Sequence, residues 1–190
     1  MTFNPLITYF TETPQPSRLR RAIVMLATPL IPIMAYGFYG NGFLWLKLTL
    51  YFWVLLVLFW TDMESYILPL PLTVGLGAIG VGWALLEGHL LTSLLGGVVG
   101  YSLLWVVRII GQFIYKKESL GKGDLKLNAA IGLYWGSVHV LWSTYLAFVI
   151  GALICGILLL LKRKSRQDMI PFGPFLIVGT VVVVIVTCLH

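Results

Sequence analysis

Only three of the 190 residues are aspartate, and two of them, Asp62 and Asp124, stand where an apolar chain has no routine use for a charge. Asp62 follows the unbroken run LYFWVLLVLFW with only Thr61 between, and Asp124 opens a second apolar stretch within SLGKGDLKLNAAIGLYWG, residues 119–136. An ionisable group at membrane depth is costly and tends to face a cavity and a partner. Two carboxylates a few ångströms apart resist ionising together, so one keeps a proton while the other is charged. The charged member of such a pair can activate water while the protonated member polarises a carbonyl, which is the chemistry of an aspartic protease. Gly121 and Gly123 suit that chemistry, because glycine permits both a tight turn and the close approach of a substrate backbone.

Plainer roles fit the same residues. An Asp ahead of a helix accepts hydrogen bonds from free N–H groups as a cap, and Asp62 can be a polar helix end. A rival chemistry is a proton-coupled small transporter or channel subunit, since intramembrane acids also serve proton relays. That rival predicts acids at mid-membrane depth and an inverted internal repeat, whereas these two lie at segment ends and no repeat is evident. Spacing alone leaves these alternatives open. Glu12, Glu87, Glu118 and Asp168 read as surface residues.

The elements that must position the two acids follow from composition. The chain is 59% hydrophobic and 11% charged, which predicts an all-α, polytopic transmembrane helix bundle. Seven apolar segments emerge, at roughly 22–40, 43–61, 70–87, 90–114, 125–136, 138–161 and 172–189. Residues 1–21 read as a cytoplasmic N-terminal arm and 22–190 as a single transmembrane domain. The fifth segment is short, about 18 Å as helix, so 125–161 holds either one crossing or two. With seven crossings the basic clusters at Arg18, Arg20 and Arg21, at Lys116, Lys117, Lys122 and Lys126, and at Lys162, Arg163, Lys164 and Arg166 all fall on the inside. The C-terminus is then outside, and the outer loops carry only Lys47, Glu87 and histidines. Two crossings separate Asp62 from Asp124, so they share a face.

The net charge of +6 comes from clusters beside apolar segments, which favours orientation anchors over nucleic-acid binding; lipid is the expected contact. Cys155 and Cys188 form no CxxC pair, and His89, His139 and His190 are isolated, so neither a metal site nor a disulfide framework is expected, nor any cofactor. Small residues recur four apart at Gly80 and Ala84, Gly96 and Gly100, Gly132 and Gly136, and Ala152 and Gly156, a spacing that lets helices pack closely in lipid. Trp60, Tyr66, Tyr115 and Trp135 near segment ends suit interfacial anchoring.

Taken together, DMESYILP and GKGDLKL resemble the two active-site motifs of the bacterial type IV prepilin peptidases, membrane aspartyl proteases of the GxGD class. In that family an Asp at a helix end is followed seven residues later by Pro, as Asp62 is by Pro69. The second motif is GxGDxK, matched at Gly121, Gly123, Asp124 and Lys126. The stretch IPFGPFLIVG, from Ile170 to Gly179, resembles the start of the family's last helix. The resemblance implies removal of a short basic leader from prepilins or pseudopilins at the cytoplasmic membrane face, with Asp62 and Asp124 as the catalytic pair. It gives Gly121, Gly123, Lys126 and Pro69 supporting roles; Lys126 is expected to meet lipid phosphate. The family often carries Asp or Asn after the first-motif Pro, where this chain has Leu70 and then Pro71. Many members also begin with an extra helix and a loop of paired CxxC motifs linked to N-methylation of the cleaved pilin. The resemblance is therefore to a short form, with peptidase but no N-methyltransferase activity expected. It fixes neither the particular substrate nor the oligomeric state.

Overall fold

A computed structural model describes residues 31–32, 43–65, 68–115, 120–160 and 172–189. Among the described residues, 31–32 are helical and six further helices follow: α1 (Phe43–Ser65), α2 (Leu70–Glu87), α3 (Leu90–Tyr115), α4 (Lys122–Trp135), α5 (Ser137–Leu160) and α6 (Gly173–Leu189). Among the described residues there is no strand. Each apolar segment expected from residue 43 onward is a helix. Four are long and apolar enough to cross a membrane, within Leu44–Met63, Leu70–Glu87, Leu90–Phe113 and Ser137–Ile157, and Gly173–Thr187 is a shorter apolar helix. The arm 1–21, most of the first segment at 22–40 and the basic residues at 116–117 and 162–166 lie outside the described residues.

Local chemistry explains the helix ends. Pro69 caps α2 in extended conformation (φ −60°, ψ 118°). The additional Pro71 falls in the first turn, where its missing N–H has no intrahelical partner to lose. At the far end Gly88 takes the left-handed conformation (φ 76°), and the N–H of His89 reaches Ala84 O at 2.9 Å, a closure that satisfies carbonyls left open by the last turn.

The uncertain stretch 125–161 divides at Gly136. This residue sits at φ 85° and ψ 179°, with its N–H on Gly132 O at 2.8 Å, a conformation that only glycine adopts without strain. Thr144 Oγ1 then donates to Asn128 Oδ1 at 3.0 Å. The two residues are equidistant from Gly136 along the chain, so α5 runs back antiparallel to α4. With 14 residues, α4 is only about 21 Å long.

The short α4 lies at the centre of the bundle. Its carbonyls and amides approach α3 where both helices carry glycine: a Cβ on Gly132 would strike Gly96 O, and one on Gly96 would lie 2.7 Å from Gly136 Cα. On its other flank, a Cβ on Gly80 of α2 would lie 2.7 Å from Tyr134 Cα. Three of the four small-residue pairs therefore sit at or beside helix contacts. The fourth does not, since Ala152 is exposed and Gly156 has nothing within 4 Å of its Cβ position. Polar atoms brace the same seam. Asn128 Nδ2 donates to Gly100 O at 2.8 Å, and Ser93 Oγ donates to Leu133 O.

Aromatic side chains join α1 to α4. Tyr134 donates its hydroxyl to Lys47 O at 2.6 Å, and the Tyr51 and Tyr134 rings are 4.6 Å apart. Tyr51 also bonds Thr180 of α6 at 2.7 Å. Lys47 is not an outer-loop charge. It lies within α1, buried, with Nζ 2.8 Å from both Glu87 carboxylate oxygens and 5.1 Å from the centre of the Trp135 ring. Trp135 is half-buried among Tyr51, Tyr134 and His139.

Candidate active site

The alternating direction of the helices brings Asp62, Asp124 and the start of α6 to one end of the bundle. Helix α1 runs from Lys47, paired with Glu87 at the opposite end, to Asp62 near its close. Helix α6 runs antiparallel to it, with Tyr51 bonded to Thr180 and Asp62 beside Gly173. Both acids are buried, Asp62 at 4% exposure and Asp124 at 7%.

Gly173 measures their proximity. A Cβ built there would strike Asp62 Oδ2, lie 3.0 Å from Asp62 Cγ, and lie 3.4 Å from Asp124 Oδ1. The Gly173 backbone thus lies against both carboxylates, with no room for a methyl group. The Gly173 N–H donates to the Asp62 carboxylate, while Asp62 Oδ2 is buried and accepts no hydrogen bond from the described residues. An orphaned acceptor beside a second acid is the arrangement in which a shared proton lowers the energy most.

Asp124 occupies the third position of α4, behind Gly121 at the cap (φ −66°, ψ 143°). Its carboxylate accepts the Gly121 N–H, which is the reach-back half of a capping box. The plain capping role and the paired-acid role are therefore held by one side chain. Asp124 precedes the apolar part of its helix. Burial, followed by the charge of Asp62, pushes its carboxyl above the ordinary carboxylate range, and the Gly121 N–H opposes the shift. Asp124 lies in the first turn of α4, whose positive end favours negative charge, whereas Asp62 lies in the last turn of α1, whose negative end opposes charge and is countered by the first residue of α6.

The remaining motif residues divide by position. A Cβ on Gly121 would lie 3.1 Å from Asp124 Oδ2, and one on Gly123 would lie 3.0 Å from Leu68 Cβ. Gly123 thereby lets α4 start against the turn that leads through Pro69 into α2. Pro69 shapes that turn and touches neither acid in any contact described. Lys126 is exposed on the first turns of α4. Gly173 is the residue that sequence reasoning passed over. Its signal was present, a glycine between Phe172 and Pro174 at a helix start, but no distance from residue 62 or 124 is readable along the chain. Among the described residues, no three His, Cys, Asp or Glu side chains converge as a metal site would require.

Fold and site together define a multi-pass helical membrane protein with a buried carboxylate pair at one end of its bundle. Residues 49–161 match the Type IV leader peptidase family. Three relatives, each named prepilin leader peptidase/N-methyltransferase, extend the match. The protein of Aeromonas salmonicida (strain A449) is 32% identical over 162 residues, covering 84% of this chain and 56% of the relative. That of Pseudomonas aeruginosa is 34% identical over 188 residues, covering 92% and 63%, and that of Stutzerimonas stutzeri is 35% identical over 167 residues, covering 84% and 56%. The chain belongs to the Type IV leader peptidase family. It spans 56–63% of the length of these relatives. No solved structure matches it.

Proposed function

We propose that this chain is an aspartic endopeptidase that removes the basic leader from type IV prepilins or pseudopilins at the cytoplasmic face of a bacterial inner membrane. The substrate class is taken from the names of the relatives, and the chemistry from the acid pair. The observation that supports the reading is the burial of Asp62 and Asp124 side by side against the same residue, Gly173. In this reading the unit 22–190 is one peptidase domain with its N-terminus inside and its C-terminus outside.

The reaction follows from the shared proton. The ionised carboxylate takes a proton from water as the water oxygen bonds to the scissile carbonyl carbon. The protonated carboxyl gives its proton to the carbonyl oxygen. As the tetrahedral diol collapses, one of its hydroxyls gives its proton to the ionised carboxylate, the C–N bond breaks and the protonated acid gives its proton to the leaving amine, so the pair ends with the single proton it began with. No covalent enzyme intermediate forms. Burial of both acids strengthens the electrostatics of each transfer, and their place at the bundle end leaves them within reach of water. A basic leader gains little from a basic membrane face, so docking rests on the apolar helix of the substrate and on lipid. The 190 residues hold two cysteines and no CxxC pair, and the proposal covers cleavage alone.

Co-expression with a prepilin tests the reading. Wild-type protein should yield the shortened pilin by mass spectrometry, and Asp62→Asn and Asp124→Asn should each leave the leader attached while accumulating in the membrane at wild-type level. An unprocessed prepilin with the wild-type protein, or normal processing by either variant, would overturn it.

A further inference from the structure

We infer that Gly173 is a positioning residue of the catalytic pair, holding Asp62 through its backbone N–H and, by its lack of a side chain, letting the start of α6 lie directly against the two carboxylates. The inference rests on the peptidase reading and adds a third chain segment, the start of α6, to a site otherwise built from α1 and α4.

Three observations carry it. Asp62 is buried and Oδ2 has no partner among the described residues, so the Gly173 N–H is the donor that orients this carboxylate. That N–H belongs to the first turn of α6, where the amides have no intrahelical acceptors and Phe172 O begins the ladder by accepting from Phe175 N at 3.0 Å and Leu176 N at 3.2 Å. A free amide and a helix dipole both point at an acid there. Finally, the Cβ position at 173 abuts Asp62 Oδ2 and Asp124 Oδ1 together. The main chain at 173 therefore lies closer to the pair than any side chain would allow, and the Asp62 carboxylate is seated directly against it. Any side chain at 173 would push the Asp62 carboxylate out of its place beside Asp124. The neighbouring Pro174 is also buried, and its ring fixes φ at the second helical position, which holds the Gly173 amide in register.

Positioning predicts a loss in turnover rather than in substrate binding. Gly173→Ala should lower kcat by about 100-fold, the scale of an ångström-sized misplacement, with KM within about threefold of wild type. Gly156→Ala, which faces open space, should leave both unchanged. The assay uses the full chain in detergent or vesicles with a purified prepilin. Wild-type kcat in Gly173→Ala, or a rise in KM that accounts for the whole loss, would overturn the inference. If Gly173→Ala lowers the melting temperature, the Asp62→Ala/Gly173→Ala double variant decides: recovery to the melting temperature of Asp62→Ala supports contact with that carboxylate, and no recovery makes Gly173 a packing residue only. A wild-type protein that cleaves no prepilin defeats the peptidase reading itself. A wild type that cleaves, with inactive Asp62 and Asp124 variants and a fully active Gly173→Ala, defeats this inference alone.

Discussion

Gly96 of α3 and Gly132 of α4 meet backbone to backbone, so closely that a methyl group on either would collide with the main chain of the other helix or its turn. The contact lets a 14-residue helix lie in the middle of the bundle with Asp124 at its start. Small-residue contacts of this kind substitute dispersion and close carbonyl approach for the hydrophobic drive that lipid does not supply.

Substitution at this seam is therefore expected to be severe. Gly96→Ala and Gly132→Ala should each destabilise by about 3 kcal/mol, the upper range for overpacking where the obstructing atoms are backbone. Gly156→Ala should hold or raise stability, because it adds a helix-favouring methyl in open space. Thermal melts of the detergent-purified proteins measure the difference. Equal melting temperatures for Gly132→Ala and wild type would mean that the seam is wider than described.

The opposite end of the bundle depends on charge. Lys47 is 8% and Glu87 33% exposed in their side chains, so removing Glu87 leaves Lys47 a charge with little solvent, while removing Lys47 leaves a partly solvated carboxylate. Lys47→Met or Glu87→Gln alone should cost about 2 kcal/mol, less than the full figure for a deeply buried pair because water still reaches Glu87. The double variant should cost less than the two single losses together, read from a double-mutant cycle on melting temperature. Additive losses would show that the pair does not act as one unit.

Much of this architecture was legible beforehand, and the exceptions have physical causes. Six helices were readable because long apolar runs end at Gly88, Gly136 and the Pro69 turn, where backbone chemistry is local. Asp62 and Asp124 stood out because charge is rare in such a chain, and their common face followed from counting crossings. The internal partners were not legible. Lys47 resembled an outer anchor until Glu87, forty residues on, was brought beside it by the antiparallel return of α2. Gly173 was visible as a motif glycine, but its role depends on α6 packing antiparallel to α1, a relation that no periodicity encodes.

The site also sets a pH dependence. Burial and then the Asp62 charge raise the Asp124 carboxyl above its usual range, so the folded protein holds that proton more tightly than the unfolded chain. Its contribution to stability is complete below about pH 4, where an unfolded Asp titrates, and is lost as pH rises through the higher folded-state value. Wild-type melting temperature should fall over that window, and Asp124→Asn should remove this part of the slope. The protonated partner in catalysis is lost over the same range, so the alkaline limb of prepilin cleavage should lie well above the titration of an ordinary carboxylate. An identical melting profile in Asp124→Asn would assign the slope to other groups.

The most direct test of a paired mechanism is single-turnover cleavage of a purified prepilin by wild type, Asp62→Asn, Asp124→Asn and the double variant. Two acids that act as one unit should each cost about 1,000-fold or more when replaced, and replacing both should cost no more than replacing one. Losses that multiply in the double variant, or a single variant that retains near-wild-type cleavage, would contradict joint hydrolysis by Asp62 and Asp124.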